Sequence, residues 1–195
     1  MINYIKGKII EITPTDTVIE CNNIGYNILI SLNTFSDLEN KDNITIYIHH
    51  HLREDEELYY GFSTKDEREL FRLLISVSGI GTNTARMMLS SLNPEEIRNA
   101  ILSEDLNRIK SIKGIGLKTA QRLILELKDK ITKGEGIITS SPTLINNNPI
   151  INEATTALVM LGFTKPNINK VLPKILKDSP DLSLENIIKL ALKAL

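Results

Sequence analysis

The sequence predicts a multidomain α+β protein, with a small β-barrel at the N-terminus and helical domains after it. Short runs rich in β-branched residues fill residues 1–63, whereas the apolar residues of 64–134 recur with the period of a helix. Residues 135–152 are rich in glycine, serine, proline and asparagine and hold too little apolar surface to fold. We therefore expect a flexible linker there. A small domain of three helices should follow over residues 153–195, with its first helix ending at Gly162.

The N-terminal domain contains several runs with the composition of β-strands. Residues 8–12, 17–21, 26–30 and 44–48 are such runs, and turn-forming residues separate them. Five or six strands within about 60 residues predict a small closed barrel, because closing a sheet removes its exposed edges.

The middle domain shows helical patterns with recognisable start signals. Leu70, Leu73 and Leu74 fall on one helical stripe. Asn93 followed by Pro94 predicts a helix start, because asparagine caps the first turn and proline tolerates the first helical position.

Net charge alone argues against nucleic-acid binding, because the 195-residue chain carries 23 basic and 24 acidic side chains. The distribution along the chain changes that conclusion. The net charge is −6 over residues 1–63, +4 over residues 64–134 and +1 over residues 135–195. A surface for a polyanion is therefore expected in the middle domain.

Composition also excludes several classes of protein. No apolar run approaches the ~18 residues of a membrane-spanning helix, and the N-terminal residues lack a signal-peptide pattern, so we expect a cytoplasmic protein. Cys21 is the only cysteine, which excludes an intramolecular disulfide framework and a cysteine-built metal site. Among the adjacent histidines, only His49 and His51 would share one side of a strand. Without a third ligand we expect no metal site there.

The most specific pattern is an internal repeat with an offset of 35 residues. Residues 76–86 align with residues 111–121, and each copy predicts a helix end, a Gly-Ile-Gly turn and a new helix. The glycines permit a tight turn and a close approach of the main chain to another surface, while the isoleucine can point into the core. Backbone N–H groups at the turn and at the next helix N-terminus suit a phosphate oxygen.

Other phosphate-binding motifs do not fit this repeat. A dinucleotide fingerprint needs a third glycine after a strand, but Thr84 and Thr119 occupy that position and follow a helix. A P-loop needs glycine before the lysine, but Leu117 precedes Lys118. A helix–helix turn without a ligand is the alternative for either copy, and the occurrence of two copies in the most basic segment favours ligand binding.

The paired Gly-Ile-Gly motifs resemble helix-hairpin-helix modules, which hold duplex DNA by its backbone across the minor groove without reading its sequence. The order of barrel, double hairpin module, linker and helical tail resembles the RuvA family. Residues 25–26, 53–55, 58–62 and 157–163 match that family as well, so the resemblance covers essentially the whole chain. It implies an OB-fold-like barrel, a tandem helix-hairpin-helix domain and a UBA-like tail.

The resemblance implies a function and a set of partners. The implied function is structure-specific, sequence-independent binding of four-way (Holliday) DNA junctions by a non-catalytic subunit without a cofactor. The implied assembly is a homotetramer built on the barrels, and both one tetramer and two facing tetramers are open. The implied protein partners are RuvB, a hexameric ATPase motor for branch migration in recombination and repair, and the RuvC resolvase.

The resemblance also assigns roles to individual residues. The implied DNA-binding residues are Gly79, Ile80, Gly81, Asn83, Thr84, Gly114, Ile115, Gly116, Lys118, Thr119 and Arg122. The family places the acidic pair corresponding to Glu54 and Asp55 on a pin near the junction centre, where carboxylates repel the phosphate backbones. Without the resemblance, the pair would be interpreted as a solvated turn. Leu158, Leu161 and Phe163 are implied to bind the motor, and the alternative is that they form the core of the small tail domain.

This chain departs from the family pattern at two positions beside the hairpins. Asn83 and Leu117 stand where many relatives have lysine. We therefore expect phosphate binding to depend on the backbone amides of the hairpin glycines, with Lys118 and Arg122 as the main cations. Fewer cations predict a shallower dependence of DNA affinity on salt.

Two other classes of function are weighed against this one. DNA glycosylases also contain helix-hairpin-helix modules, and Lys118 stands near the position of their nucleophilic lysine. The catalytic aspartate expected roughly twenty residues later is absent, and nothing indicates a pocket for a flipped base. The third class is a protein-interaction adaptor, for which the apolar residues of the tail would be the docking surface.

Overall fold

The computed structural model describes residues 1–132, 149–178 and 182–194. The chain divides into two compact units, residues 1–140 and residues 141–195. Most of the predicted linker lies outside the described residues.

Five strands form a closed barrel at the N-terminus, as predicted. They are β1 (Tyr4–Ile12), β2 (Asp16–Cys21), β3 (Ile24–Ile30), β4 (Asn43–Leu52) and β5 (Glu57–Phe62), and a short helix, α1 (Leu32–Leu38), lies between β3 and β4. The order around the barrel is β1-β2-β3-β5-β4, and only β3 and β5 pair in parallel. Alternation along the strands places isoleucines inside, including Ile19, Ile28 and Ile46, which are fully buried.

Between the barrel and residue 132 the chain forms five helices. They are α2 (Lys65–Ile75), α3 (Thr82–Ser91), α4 (Pro94–Leu102), α5 (Leu106–Lys110) and α6 (Leu117–Thr132). The predicted start of α4 is confirmed, because the Asn93 side chain accepts from the Glu96 amide and Glu96 bonds back to the Asn93 amide. The buried apolar residues of these helices form one core with Tyr60 and Phe62 of β5.

A buried carboxylate joins the barrel to α2. Glu67 accepts hydrogen bonds from Ser31 Oγ at 2.6 Å and Thr34 Oγ1 at 2.7 Å. Burial raises the pKa of the Glu67 carboxyl above its usual range, while the two hydroxyl donors act in the opposite direction. This network and the shared core make the barrel and the helices a single packed body.

The described residues of the C-terminal unit form three helices, as predicted. They are α7 (Pro149–Met160), α8 (Lys165–Asp178) and α9 (Leu184–Ala194). Helix α7 begins at Pro149, within the segment predicted as linker, and proline suits the first helical position. Gly162 ends this helix with a φ of +97°, a conformation that favours glycine. None of the helices in the described ranges is long and apolar enough to cross a membrane.

Candidate nucleic-acid interface

The first Gly-Ile-Gly turn connects α2 to α3 through a compact hydrogen-bonded loop. Val77 and Ile80 are buried, and the Ile80 amide donates to the Val77 carbonyl at 3.0 Å. Gly79 lies between them with a φ of +93°, where a side chain would strain the backbone. The loop therefore inserts two apolar side chains into the core and leaves its glycines at the surface. We call residues 76–86 the first hairpin.

The second turn, between α5 and α6, repeats this geometry 35 residues later. The Ile115 amide donates to the Ile112 carbonyl at 3.1 Å, and both side chains are buried. Gly114 has a φ of +91°. The sequence repeat is therefore a structural repeat, and we call residues 111–121 the second hairpin.

The last glycine of each hairpin faces open space. A Cβ atom built at Gly81 or Gly116 would meet no atom within 4 Å, and neither glycine has a positive φ. Gly81 is the N-cap of α3 and has no side-chain capping bond, so the first amides of that helix point outward without an intrahelical acceptor. Neither the backbone nor internal packing requires glycine at these positions. Close approach of an external surface provides a reason for it.

The two hairpins lie side by side. A Cβ atom at Gly79 of the first hairpin would lie 3.8 Å from Thr119 Oγ1 of the second. Thr84 and Thr119 are both half-buried at the starts of their helices. The paired turns therefore lie next to each other, and the first amides of α3 and α6 have no intrahelical acceptors.

Ile80 and Ile115 have the buried positions that the repeat allows, which differ from the DNA contacts that the resemblance implies. Both side chains are buried, and both amides are already occupied by the hydrogen bonds inside the turns. These isoleucines hold the turns in place and present no free group to DNA. Their expected DNA contacts are therefore corrected to a structural role.

The exposed cations are concentrated on the second hairpin. Lys118 is exposed and forms no ion pair with any residue in the described ranges. Arg122 is also exposed, but its Nε lies 2.6 Å from Glu126 Oε1, which reduces its availability to a phosphate. Asn83 is exposed at the equivalent position of the first hairpin, 35 residues before Lys118.

Sequence reasoning missed two further cations. Lys113 is exposed within the second turn, next to Gly114, and its place in the repeat could have identified it. Lys130 Nζ lies 3.4 Å from Ser76 Oγ at the start of the first hairpin. No local signal could have found Lys130, because 54 residues separate it from Ser76.

The acidic segment forms the tip of the β4–β5 hairpin. The Arg53 amide donates to the Glu56 carbonyl at 2.8 Å, which leaves Glu54 and Asp55 as the two central residues of an exposed turn. We call Glu54 and Asp55 the pin. Neighbouring Glu57 is engaged locally: it accepts from the Tyr59 hydroxyl at 2.6 Å, which lowers the pKa of the Glu57 carboxyl.

The histidines of β4 lie at the base of this β-hairpin. His49 and His51 lie on one side, as predicted, with ring centroids 6.4 Å apart, and His50 stacks on Tyr59 instead. Burial, followed by the charge of Arg72, lowers the pKa of His49 to about 4, so this imidazole is neutral at pH 7. No group of three or more metal-binding side chains occurs among the described residues.

In the C-terminal unit, the three apolar residues expected to bind a partner differ in exposure. Leu158 is completely buried in the core of the unit, so its side chain is not available to a partner and that expectation is corrected. Phe163 is half-buried against the same core. Leu161 is exposed, and so is the neighbouring Met160, which sequence reasoning did not select.

Comparisons with known proteins agree with this arrangement along the chain. Residues 1–61 match the RuvA N terminal domain, residues 71–129 match the SAM-like Helix-hairpin-helix tandem, and residues 149–195 match the RuvA, C-terminal domain. These three matched segments correspond to the barrel, the two hairpins and the helical tail.

Full-length relatives extend the match. The chain is 53% identical over 195 residues to the Holliday junction branch migration complex subunit RuvA of Christiangramia forsetii, with all of both chains covered. It is 50% identical over 203 residues to the protein of that name from Bacteroides fragilis and 48% identical over 195 residues to that from Flavobacterium psychrophilum, again over all of both chains. The chain thus combines a barrel with an acidic turn, two adjacent glycine hairpins and a three-helix tail. Its similarity to these relatives extends over its whole length, and the chain belongs to the RuvA family.

Proposed function

We propose that this protein is a non-catalytic DNA-binding subunit that binds four-way junctions and supports their branch migration in the cytoplasm. The observation that carries the proposal is the pair of hairpins with exposed glycines, set side by side in one rigid body. Two sites that bind backbone phosphates at a fixed separation suit duplex DNA and are insensitive to base sequence. The names of its relatives support the junction as the substrate.

The pin supports a preference for junctions over linear duplex. Glu54 and Asp55 are exposed at the end of a β-hairpin, and carboxylates there repel any backbone that approaches closely. One pin has a small effect in physiological salt, where charges are screened over about 8 Å. Several pins brought together by a symmetric assembly act on the junction centre collectively.

A tetramer assembled through the barrels would supply that symmetry. The barrel leaves Tyr4, Ile10 and Ile24 more than half exposed, and such apolar side chains suit burial between subunits. The same assembly would present four pairs of hairpins to four DNA arms. Sedimentation analysis of the free protein would measure its oligomeric state, and replacement of Ile10 and Ile24 by glutamate should dissociate it.

The tail would recruit the RuvB motor, with the RuvC resolvase joining the larger complex. Leu161 and Met160 carry the apolar surface that a partner could cover, because Leu158 is committed to the core. A chain ending before residue 149 should bind junctions normally and fail to stimulate the motor ATPase. Met160→Glu in the full chain should give the same loss. Full stimulation by both variants would assign motor binding to another surface.

The decisive experiment compares a four-way junction with a linear duplex built from the same sequences. We expect the full-length protein to bind the junction much more tightly, and a labelled-DNA titration by fluorescence anisotropy would measure both dissociation constants. Equal affinities would indicate a general duplex-binding protein instead. Two further DNAs, one with a damaged base and one with an abasic site, test the glycosylase alternative, since release of the base or cleavage of the strand there would reveal catalysis.

A further inference from the structure

A partly buried hydrogen bond joins the strand of the pin to the first hairpin. The Tyr60 hydroxyl donates to Thr82 Oγ1 at 2.9 Å, and Tyr60 is only 1% exposed. Tyr60 belongs to β5, the strand that leads away from the pin. Thr82 is the first residue of α3, directly after Gly81. The bond therefore connects the β-hairpin of the pin to the end of the turn that would meet phosphate.

Aromatic packing fixes the position of the Tyr60 hydroxyl. The ring centroid of Tyr60 lies 5.3 Å from that of Phe71 and 6.3 Å from that of His51. Phe71 belongs to α2, the helix that enters the first hairpin, so the ring is held between both structures that it connects. A side chain packed in this way has little rotational freedom left, and its hydrogen bond costs little further ordering.

The second hairpin lacks this connection. Leu117 occupies the position equivalent to Thr82, carries no hydroxyl group and is 47% exposed. Within the described ranges, no hydrogen bond runs from α6 to the barrel. The second hairpin instead lies beside the first, where a Cβ atom built at Gly79 would be 3.8 Å from Thr119 Oγ1. Thr82 is therefore the point at which the pin strand is bonded directly to a hairpin.

We propose that Tyr60 is a positioning residue for junction selectivity: acting through Thr82, it holds the first hairpin at a fixed place relative to the pin. The inference rests on the proposed junction binding. A linear duplex needs only the hairpins, whereas a four-way junction must meet the hairpins and the pin at the same time. A binding site that must match two features of its ligand loses affinity when the link between them loosens.

The test uses the full-length protein with Tyr60→Phe, Thr82→Val and the double variant. Titrations with a labelled four-way junction and a linear duplex give both dissociation constants. Each single variant should bind the junction more weakly, by up to about fivefold, the limit set by the net free energy of one neutral hydrogen bond. For Tyr60→Phe, which lies outside the hairpins, duplex affinity should stay within about twofold of wild type. The double variant should be no weaker than either single one, because both changes remove the same bond.

Two controls separate positioning from a general effect on the fold. Thr82→Ser keeps the hydroxyl group and should retain the selectivity of the wild type. Tyr26→Phe removes a barrel hydroxyl that has no hydrogen-bond partner in the described ranges, and it should change neither affinity. Thermal unfolding establishes that each variant is folded, and Thr82→Ala replaces Thr82→Val if that variant is not.

The outcomes distinguish this inference from the proposed function. Wild-type selectivity in both single variants would overturn the inference, and so would equal weakening for junction and duplex. Additive losses in the double variant would also overturn it, since the two residues would then act independently. A wild-type protein that does not prefer the junction would refute the proposed function itself.

Discussion

The two hairpins share a backbone. Gly79 and Gly114 have φ angles of +93° and +91°, and Ile80 and Ile115 are 4% and 5% exposed. A single turn geometry therefore occurs twice, and any difference between the hairpins must come from their surroundings and their surface side chains.

The two hairpins differ in their surroundings: the first is bonded to the barrel, and the second carries more positive charge. We call the first hairpin the attached hairpin. Helix α3 of the first hairpin is bonded to the barrel along its length: Tyr60 donates to Thr82, and Arg86 Nη1 donates to the Thr15 carbonyl at 3.0 Å. Asn33 Nδ2 donates to the Leu89 carbonyl at 2.6 Å. The second hairpin instead carries the exposed Lys113 and Lys118, at positions where the first has serine and asparagine. Of the two copies of the turn, the first is thus held against the barrel and the second carries the positive charge.

The largest expected effect removes the feature that the hairpins share. Gly81→Val and Gly116→Val should each lower junction affinity by about 100-fold, because the added side chains block several charge-assisted hydrogen bonds from backbone amides to phosphate. Both substitutions enter open space at a backbone conformation that other residues adopt, so the fold should persist. Junction titrations and thermal unfolding measure the two quantities. A folded variant with normal binding would refute the hairpin assignment.

A matched pair within the second hairpin tests the backbone strain at the first glycine of the turn. Gly114→Ala and Gly116→Ala both place a methyl group in open space, but only Gly114 has a positive φ. Gly114→Ala should lower the free energy of unfolding by about 1–2 kcal/mol, whereas Gly116→Ala should leave it nearly unchanged. Similar losses of stability would contradict the description of these turns.

The next effect exploits the difference in charge between equivalent positions. Lys118→Asn makes the second hairpin resemble the first, and it should flatten the logarithmic dependence of affinity on salt by about 0.9 for each phosphate that is no longer neutralised. Asn83→Lys makes the first hairpin resemble the second and should steepen the slope by a similar amount. Titrations over a range of salt concentrations measure both slopes.

The double variant Asn83→Lys with Lys118→Asn completes this experiment, because it keeps the total charge of the chain. If the hairpins contribute equivalent phosphate sites, the exchanged protein should recover the slope of the wild type. A slope that stays at the value of Lys118→Asn alone would show that the attached hairpin cannot use a cation.

The parts that were predictable from the sequence have local signals. The 35-residue repeat predicted both hairpins and their buried isoleucines because turn, helix start and core position follow one another within 11 residues. The barrel followed from β-branched runs and the need to remove sheet edges. Asn93 and Pro94 identified a helix start for the same reason, since a cap depends only on its immediate neighbours.

The parts that were not predictable depend on packing between distant segments. The bond between Tyr60 and Thr82, and the approach of Lys130 to Ser76, require the folded body. Leu158 shows a different limit: an apolar residue in a small domain has the same pattern whether it lies in the core or at an interface, and the structure places it in the core. The start of α7 was missed because Pro149 follows three asparagines, a composition typical of a linker.

A smaller effect concerns the pin, which lies on the strands bonded to the attached hairpin. Glu54→Gln with Asp55→Asn should raise affinity for linear duplex severalfold at low salt and affinity for the junction by less, because two charges that repel a backbone crossing the pin are removed. The gain should fade toward physiological salt, where screening over about 8 Å weakens exposed charges. Glu39→Gln removes an exposed acidic charge elsewhere on the barrel and should have less effect. Equal gains from the pin variant and from Glu39→Gln would mean that the pin acts only through the net charge of the protein.

The smallest expected effect is a change of stability with pH, which tests how firmly the first hairpin is attached to the barrel. His49 packs on Phe71 of α2 with ring centroids 5.2 Å apart, and its pKa is lowered to about 4 from 6.5, so the unfolded chain binds a proton more readily than the folded protein over this interval. Stability should therefore fall as the pH drops from 6.5 to about 4, by ~1 kcal/mol once solvent screening of the half-buried ring is allowed for.

The raised pKa of Glu67 gives a slope of the opposite sign above pH 4.5, because there the folded state holds the proton more tightly. The dependence of wild-type stability on pH thus contains contributions from both His49 and Glu67. The difference in stability between wild type and His49→Phe isolates the contribution of the histidine. Since His49 lies at the barrel side of the attached hairpin, acid should increase amide exchange in α3 before it does so in α6. Simultaneous loss of protection in both helices would mean that the two hairpins are held equally firmly.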